Sequence, residues 1–178
     1  METPEAVALI RDAIPRDAGT WTDLGAGAGT FTRALAECLE PGSRIYAVDR
    51  DKRALEAITR WANASAVTTD FDLPGLATDL LDGMLLANAL HFVPNADQVL
   101  ARLTRRLRPG GRVVLIEYDR RRANRWVPFP ISREQLPALA ASAGLSDPVV
   151  TATTPSAFGG DLYVAFADKP RPSAANLS

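Results

Sequence analysis

Apolar residues recur along the chain at two spacings, and each spacing predicts one kind of element. Apolar positions between Val7 and Ile14 follow a helical repeat, which predicts a first helix that ends before Pro15. Four later stretches have the same repeat: Phe31–Leu39, Lys52–Ala62, Asp97–Leu107 and Arg133–Ala143. Short apolar runs between turn residues predict seven strands: Thr20–Leu24, Arg44–Val48, Ala66–Thr69, Leu81–Ala87, Arg112–Glu117, Val149–Thr153 and Leu162–Ala167.

Strands and helices alternate through the first two thirds of the chain. Parallel strands need crossover connections, and right-handed crossovers place helices on both faces of the sheet. The alternation therefore predicts an α/β fold with a Rossmann-like, doubly wound sheet. A stretch rich in Pro, Ser and Gly joins the last two strands and allows a hairpin return. We expect one domain over residues 1–168 and a polar tail, residues 169–178, without fixed structure.

Composition narrows the class of protein. The chain has 178 residues, 47% of them hydrophobic, which suits one compact domain, and its net charge of -1 indicates no general affinity for nucleic acid or membrane surfaces. Cys38 is the only cysteine, so no disulfide framework and no zinc-ligand spacing is present. The first residues lack the features of a signal peptide, and no apolar segment has the length of a membrane span. We expect a soluble cytoplasmic protein that needs neither a metal nor a membrane.

A glycine-rich turn follows the first predicted strand. The segment Asp23–Gly29 reads DLGAGAG, and its glycines allow backbone to approach a ligand closely. The dinucleotide fingerprint requires Gly-x-Gly-x-x-Gly, but the third glycine here, Gly29, comes one position early and Thr30 follows it. The spacing disfavours NAD and leaves two interpretations, a ligand-binding turn or a tight structural turn.

Acidic residues end the next two predicted strands. Asp49 ends the second strand about twenty residues after the turn, where a carboxylate would hydrogen-bond the hydroxyls of a ribose. Asp70 and Phe71 end the third strand, and they offer a carboxylate for an exocyclic amine and a ring for the face of a base. For Asp70 alone, the cap of a helix or turn is the alternative.

Taken together, these motifs resemble the class I S-adenosylmethionine-dependent methyltransferases, in particular their small single-domain members. The resemblance extends from Thr20 to about Asp168. In order along the chain, the matching segments are DLGAGAG, RIYAVDRD, TTDFDLP, LDGMLLANALHFV, and LRPGG followed by RVVLIEYD. The resemblance implies a seven-stranded sheet with an antiparallel last strand, S-adenosylmethionine as cofactor, S-adenosylhomocysteine as product, and no metal.

The resemblance also implies which residues hold the cofactor. They are Asp23, Gly25, Ala26, Gly27, Gly29, Asp49, Arg50, Asp70, Phe71 and Asn88. In this assignment the residues from Gly25 to Gly27 contact the methionine part, Asp49 the ribose, and Asn88 the region beside the transferred methyl. Arg50 departs from the apolar residue that is common at its position, but a guanidinium can stack on an adenine ring.

The sequence says less about the methyl acceptor. The fourth motif contains Asn88-Ala89-Leu90-His91 and lacks the Asn-Pro-Pro-aromatic pattern associated with amide or base nitrogens, so we expect a small-molecule acceptor. His91 is the only histidine and is a candidate general base. The alternative is an imidazole that packs in a loop and hydrogen-bonds the backbone.

Aromatic and basic residues follow the fifth predicted strand. Tyr118, Arg121 and Trp126 are candidate substrate contacts, although a run of arginines is more often a solvated face. RNA modification therefore stays an alternative, as do an NAD(P)-binding oxidoreductase and a catalytically silent methyltransferase-like binding subunit. Few residues precede Thr20, so we expect an open site or one completed by a second copy or another partner chain.

Overall fold

The computed structural model describes residues 1–58, 64–68, 80–119, 122–156 and 159–172. Its helices are α1 (Thr3–Ile10), α2 (Thr30–Cys38), α3 (Lys52–Leu55), α4 (Ala96–Leu103) and α5 (Leu136–Ser142). Its strands are β1 (Thr20–Leu24), β2 (Arg44–Asp49), β3 (Ala64–Thr68), β4 (Leu81–Ala87), β5 (Leu107–Asp119), β6 (Val149–Pro155) and β7 (Asp161–Asp168). No helix in these ranges is long and apolar enough to cross a membrane.

The seven strands form one sheet in the order β3-β2-β1-β4-β5-β7-β6. Strands β1 to β5 pair in parallel, and β7 runs antiparallel to both β5 and β6. In the register of the last three strands, Asp161 pairs with Asp119 on one side and Pro155 on the other. The carboxyl ends of β5 and β6 therefore lie at the same edge as the glycine turn after β1. The predicted fold class, with its antiparallel last strand, is confirmed.

Helices cover both faces of the sheet because side chains of the central strands alternate between two cores. On β5, Val113 and Leu115 pack in the core that includes α4 and α5. Val114 and Ile116 pack in the core that includes α1 and α2. Successive residues at the end of β5 consequently point to opposite sides of the sheet.

The start of β5 differs from the prediction. The helix predicted to reach Leu107 ends as α4 at Leu103, and β5 begins at Leu107 rather than at Arg112. The sequence Pro-Gly-Gly signals a turn, and here it forms a bulge inside β5, because Leu107 pairs with Leu81 but the next pair is Arg112 with Gly83. Gly110 has a φ of 82°, in the left-handed region. The N–H of Gly110 donates to the carbonyl of Lys169, and the N–H of Lys169 donates to the carbonyl of Gly111. The strand thus accommodates the local turn signal as a bulge.

Three other predicted elements differ at their ends. Arg133–Gln135 forms a 3₁₀ turn before α5, so only part of the predicted helix is α-helical. The predicted helix from Lys52 is helical as far as Leu55, and its last predicted residues lie outside the described part of the chain. Thr69 and the tail from residue 173 onward also lie outside it.

Charged side chains hold the sheet together at the opposite edge, where the parallel strands begin. The Nε and Nη2 atoms of Arg112 donate to the two carboxylate oxygens of Asp168, at 2.7 and 2.9 Å, and Nη1 donates to the carbonyl of Ala13 at 3.0 Å. The Nζ atom of Lys169 donates to the carbonyls of Thr104 and Leu107. These cations satisfy carbonyl groups where helix and strand ends meet.

Candidate active site

The glycine turn adopts a backbone that requires glycine. Gly25, Gly27 and Gly29 all have positive φ, at 80°, 51° and 86°. A Cβ atom on Gly25 would lie 2.6 Å from the Cβ of Ala89, which no side chain tolerates. The N–H of Gly25 donates to the carbonyl of Val48 at 2.8 Å, so the turn is tied to the end of β2.

Asp49 connects this turn to the next loop. Its Oδ2 accepts from the N–H of Gly27 at 2.8 Å, and its Oδ1 accepts from the N–H of Asp51 at 2.9 Å. A carboxylate has about four acceptor positions, so each oxygen can still accept a further hydrogen bond. Asp49 thus shapes the turn and keeps capacity for a ligand hydroxyl, while the neighbouring Arg50 is exposed.

Asp23 is completely buried at the end of β1. Its Oδ2 accepts from the hydroxyl of Thr32 at 2.6 Å, but its Oδ1 has no hydrogen-bond partner in the described part of the chain. Burial raises the pKa of Asp23 from its ordinary value of 3.8 to about 7; the Thr32 bond opposes this shift and the charge of Asp49 adds to it. A buried carboxyl with an unmet oxygen is suited to a ligand that brings a positive charge.

Asp23 opens onto a cavity of about 300 Å³, which we call the turn pocket. Its lining includes Asp23, Gly25, Ala26, Phe31 and Asn88. The volume lies at the lower end of the range for small-ligand sites, roughly 300 to 1,000 Å³. The fold therefore brings predicted cofactor residues from β1, the glycine turn and the end of β4 around one cavity.

Asn88 is the only described residue other than glycine with a positive φ, a conformation that Asn tolerates better than most residues. Its φ is 53°, in the left-handed region, and its N–H donates to the carbonyl of Ile116 at 2.8 Å. Its Oδ1 is buried and has no partner among the described residues. Strain and an unmet acceptor at one residue are typical of a ligand-binding position.

A second and larger cavity, about 710 Å³, adjoins the first. We call it the α1 pocket because α1 forms one wall; the others come from Phe31, Asn88, Tyr118, β6 and the start of β7. Phe31 and Asn88 line both pockets. The two cavities therefore lie next to each other at the carboxyl edge of the sheet, with Asn88 in the wall of both.

His91 lies in a 3₁₀ turn after β4, with 2% of its surface exposed. Its Nδ1 is 2.6 Å from Oε2 of Glu117, a fully buried residue near the end of β5. The other oxygen of Glu117 accepts from the N–H groups of Leu90 and His91, at 3.1 and 3.2 Å. A carboxylate only accepts hydrogen bonds, so His91 donates through Nδ1 and a neutral ring keeps its lone pair on Nε2.

Glu117 and Tyr118 are adjacent in sequence but face opposite sides of β5. Tyr118 lies on the α1 side and lines the α1 pocket, whereas Glu117 has the parity of Leu115 and lies on the α4 side. The rings of His91 and Tyr118 are 6.0 Å apart. His91 is not among the described residues that line either pocket, but its ring lies near that of Tyr118, which lines the α1 pocket.

Of the remaining predicted site residues, the structure describes only Trp126, which lies apart from both pockets. Trp126 is 64% exposed, carries the guanidinium of Arg125 at 4.2 Å over its ring, and lines neither pocket in the described structure. Asp70, Phe71 and Arg121 lie outside the described residues. Within the described ranges, no group of three or more His, Cys, Asp or Glu residues could hold a metal ion.

Comparison with known proteins decides the family. Residues 22–115, from β1 into β5, match a family described as a methyltransferase domain. The chain belongs to this family. The resemblance to class I methyltransferases that the motifs predicted is therefore confirmed, and the glycine turn and the ends of β2 and β4 all fall within the matched region.

Two curated relatives and one solved structure illustrate the similarity. An uncharacterized 37.1 kDa protein in transposon TN4556 of Streptomyces fradiae is 35% identical over 102 residues, which cover 54% of this chain and 29% of that protein. A ubiquinone/menaquinone biosynthesis C-methyltransferase of Burkholderia mallei is 24% identical over 116 residues, 62% of this chain and 48% of that protein. The chain thus spans less than half the length of either curated relative.

The solved structure is the 1,6-didemethyltoxoflavin-N1-methyltransferase of Burkholderia thailandensis, with bound 1,6-didemethyltoxoflavin and S-adenosylhomocysteine. It is 24% identical and superimposes with a TM-score of 0.74, covering 94% of this chain and 78% of that one. At this identity the likeness establishes the shared fold.

Proposed function

We propose that this protein binds S-adenosylmethionine in the turn pocket and transfers its methyl group to a small molecule. The observation that carries the proposal is the buried Oδ1 of Asp23, which has no partner in the described structure and belongs to a residue that lines the turn pocket. S-adenosylmethionine carries its methyl group on a positively charged sulfur, and its amino-acid end carries an ammonium group next to a carboxylate; the ammonium is a donor that Asp23 could accept from. A nearby cation favours the ionised form of Asp23 and supplies the missing donor.

Asp23 argues against a dinucleotide. A pyrophosphate at the glycine turn would bring two negative charges close to the buried carboxyl of Asp23, and like charges at close range repel. In our proposal the backbone of the segment from Gly25 to Gly27 contacts the methionine part, while Asp49 uses its remaining acceptor capacity for the ribose hydroxyls. Asn88 lies beside the methyl group, at the junction of the two pockets.

The α1 pocket supports a small-molecule acceptor. Its volume of about 710 Å³ suits a ligand of a few rings, and it continues directly from the turn pocket. The Burkholderia thailandensis methyltransferase that shares this fold contains such a ligand together with S-adenosylhomocysteine.

His91 is proposed to take up the acceptor proton. Glu117 holds Nδ1 by a 2.6 Å hydrogen bond, which fixes the tautomer and leaves Nε2 as the basic atom. Tyr118 lies between this ring and the α1 pocket, so the proton passes at the edge of the Tyr118 side chain or through water.

Calorimetry tests the cofactor proposal. S-adenosylmethionine and S-adenosylhomocysteine should bind saturably, while NAD and NADP should give no signal. Gly25→Val should abolish binding of S-adenosylhomocysteine, because position 25 requires a positive φ and a side chain there collides with Ala89. Saturable NAD binding without S-adenosylhomocysteine binding would overturn the proposal.

Two alternatives have their own tests. An RNA-modifying enzyme would form a complex that weakens steeply with salt, through counterion release, and we expect no gel shift at physiological salt. A silent binding subunit would bind S-adenosylhomocysteine but release none from S-adenosylmethionine in a screen of small acceptors.

A further inference from the structure

The α1 pocket is placed to present a second molecule to whatever the turn pocket holds. Tyr118, Thr154 and Pro155 belong to the ends of parallel strands β5 and β6, at the same edge as the glycine turn. Phe31 and Asn88 form a wall common to both pockets. Because this inference rests on the proposed function, an occupant of the α1 pocket would be the methyl acceptor.

Apolar side chains form most of the wall of the α1 pocket. Leu9 from α1, Phe31 from α2 and Leu162 from β7 face it together with the ring of Tyr118. Burying apolar ligand surface against such walls contributes roughly 25 cal/mol per Å². The pocket therefore favours an acceptor with a substantial apolar or aromatic body.

One acidic side chain lines the pocket. Glu5 is the only charged side chain among the described residues that line it, and Met1, which carries the α-amino group, lines it as well. Glu5 is held in place because its Oε2 accepts from the N–H of Glu2 at 2.9 Å in the first turn of α1. Its carboxylate attracts a protonated amine and repels a carboxylate or phosphate, but Glu5 is exposed, so solvent screens this selection to a modest size.

Asn88 adds a requirement for a hydrogen-bond donor. Asn88 lines both pockets, and its buried Oδ1 has no partner in the described structure. An amine, amide or hydroxyl on the acceptor supplies the missing N–H or O–H, whereas an ionised acid cannot. This observation is independent of the charge of Glu5 and selects against the same class of ligand.

We propose that the α1 pocket binds an apolar, ring-bearing acceptor whose methyl-accepting nitrogen or oxygen donates a hydrogen bond to Asn88, and that it excludes anionic acceptors. A protonated amine first gives one proton to His91 or to water, which frees the lone pair on nitrogen. In the transfer, the lone pair of the acceptor nitrogen or oxygen forms the bond to the methyl carbon. The carbon–sulfur bond breaks and its electron pair stays on sulfur, which yields S-adenosylhomocysteine. The acceptor proton leaves to His91 or to water.

Three matched probes test this proposal: 2-naphthol, 2-naphthylmethylamine and 2-naphthoate, titrated into the whole chain saturated with S-adenosylhomocysteine. They share one ring system and differ in charge. We expect the amine and the alcohol to bind, and the carboxylate to bind at least about 10-fold more weakly. Equal or tighter binding of 2-naphthoate overturns the charge selection, and no binding of any probe overturns the site.

Two variants locate the probes. Ala8→Trp places a large ring on the exposed face of α1 that lines the pocket, and should weaken probe binding about 10-fold or more without changing affinity for S-adenosylhomocysteine. Ala36→Trp, at an exposed position of α2 that does not line the pocket, is the matched control. Unchanged probe binding in Ala8→Trp refutes the assignment.

Glu5→Gln separates charge from shape. Glutamine still accepts from the N–H of Glu2, so α1 keeps its cap. In this variant the ratio of the affinities for 2-naphthylmethylamine and 2-naphthol should fall several-fold, while the affinity for 2-naphthol itself stays unchanged. If the ratio does not change, Glu5 does not attract the amine. If the wild-type chain fails to bind S-adenosylhomocysteine, the proposed function is wrong, whatever the probes do. If the wild type is a dimer and Ala8→Trp dissociates it, a second copy of the chain occupies the pocket, and the acceptor assignment is wrong.

Discussion

The two edges of the sheet differ in how their charged and polar side chains are paired. At the amino edge, Arg112 forms a two-point pair with Asp168, and Lys169 donates to two backbone carbonyls. At the carboxyl edge, Asp23 and Asn88 each keep a buried oxygen that has no partner in the described structure. Polar groups at the first edge stabilise the fold, whereas those at the second cost stability until a ligand supplies the missing bonds. Mutations at the two edges should therefore affect stability and binding differently.

The largest expected effect is that of Asp23→Asn on stability. The pKa of Asp23 is raised from 3.8 to about 7, so the folded chain holds this proton more tightly than the unfolded chain. Its contribution to stability is therefore full below pH 3.8, falls as the pH rises through about 7, and is constant above that. At about 1.4 kcal/mol per pKa unit, the wild type loses up to about 4 kcal/mol across this window.

Denaturant unfolding at about pH 5 and about pH 8 measures this prediction. Asp23→Asn should be more stable than the wild type at the higher pH, and should bind S-adenosylhomocysteine more weakly. Asp12→Asn, at an exposed carboxyl on the surface, is the control and should keep the slope of the wild type. A variant that retains the full pH slope would show that the burial of Asp23 is not its cause.

His91→Asn has the next largest effect, on turnover. Removing a general base slows catalysis by roughly 10²-fold or more, while affinity for S-adenosylhomocysteine should stay unchanged. Glu117→Gln should slow turnover as well, because the amide places a donor opposite Nδ1 and favours the tautomer with the proton on Nε2. The measurement is release of S-adenosylhomocysteine per folded molecule, with an acceptor found in the small-molecule screen.

His91 is the test case for the contrast between the edges, because it lies at the carboxyl edge but its Nδ1 is satisfied. A purely structural imidazole predicts a lower Tm and normal turnover per folded molecule. That result would mean that His91 and Glu117 stabilise the fold, as Arg112 and Asp168 do at the amino edge.

Asp49→Ala should weaken cofactor binding by an intermediate amount. Losing a charged acceptor for buried hydroxyls costs about 1–3 kcal/mol of binding free energy, and the N–H of Gly27 also loses its partner. Calorimetry with S-adenosylhomocysteine measures the change. Asp51→Ala is the control. It removes only the hydrogen bond from the N–H of Arg53 to Oδ1 of Asp51 at the start of α3, and it should bind S-adenosylhomocysteine normally. Normal affinity in Asp49→Ala would place the ribose elsewhere.

Asp168→Ala should have the smallest effect, and only on stability. The pair with Arg112 is partly exposed, with Asp168 at 38% and Arg112 at 21%, so solvent screens it and its loss costs about 1 kcal/mol or less. Urea unfolding should detect this loss, with unchanged affinity for S-adenosylhomocysteine. A change in affinity would mean that the two edges are coupled through β5 or β7.

The sequence predicts the carboxyl edge well because parallel strands bring their ends together. Asp23 lies at the end of β1, and the glycines and Asn88 follow β1 and β4 directly. The apolar residues of these strands identify them in the sequence, so the topology predicts that all of these residues lie at one edge of the sheet. The sequence does not reveal that Asp23 is completely buried, since this depends on neighbouring strands and on Thr32.

Two features were missed for a related reason. Glu117 reads as the polar end of an apolar strand, and its partner His91 comes from another strand end, so only the pairing of β4 with β5 brings them together. The signal in the sequence was that Glu117 is a single acidic residue at the end of an otherwise apolar strand. The α1 pocket was missed because α1 and β6 lie at opposite ends of the chain.

The alternation of side chains at the end of β5 limits how this strand can vary in length. Inserting or deleting a single residue between Val113 and Ile116 would exchange the directions of Glu117 and Tyr118. The carboxylate would then enter the α1 pocket, and the phenol would replace it beside His91. Single-residue insertions within β5 should therefore abolish activity, whereas insertions after Asp119 should preserve it. A scan of single-residue insertions along β5 and beyond it, with activity measured for each variant, tests this expectation.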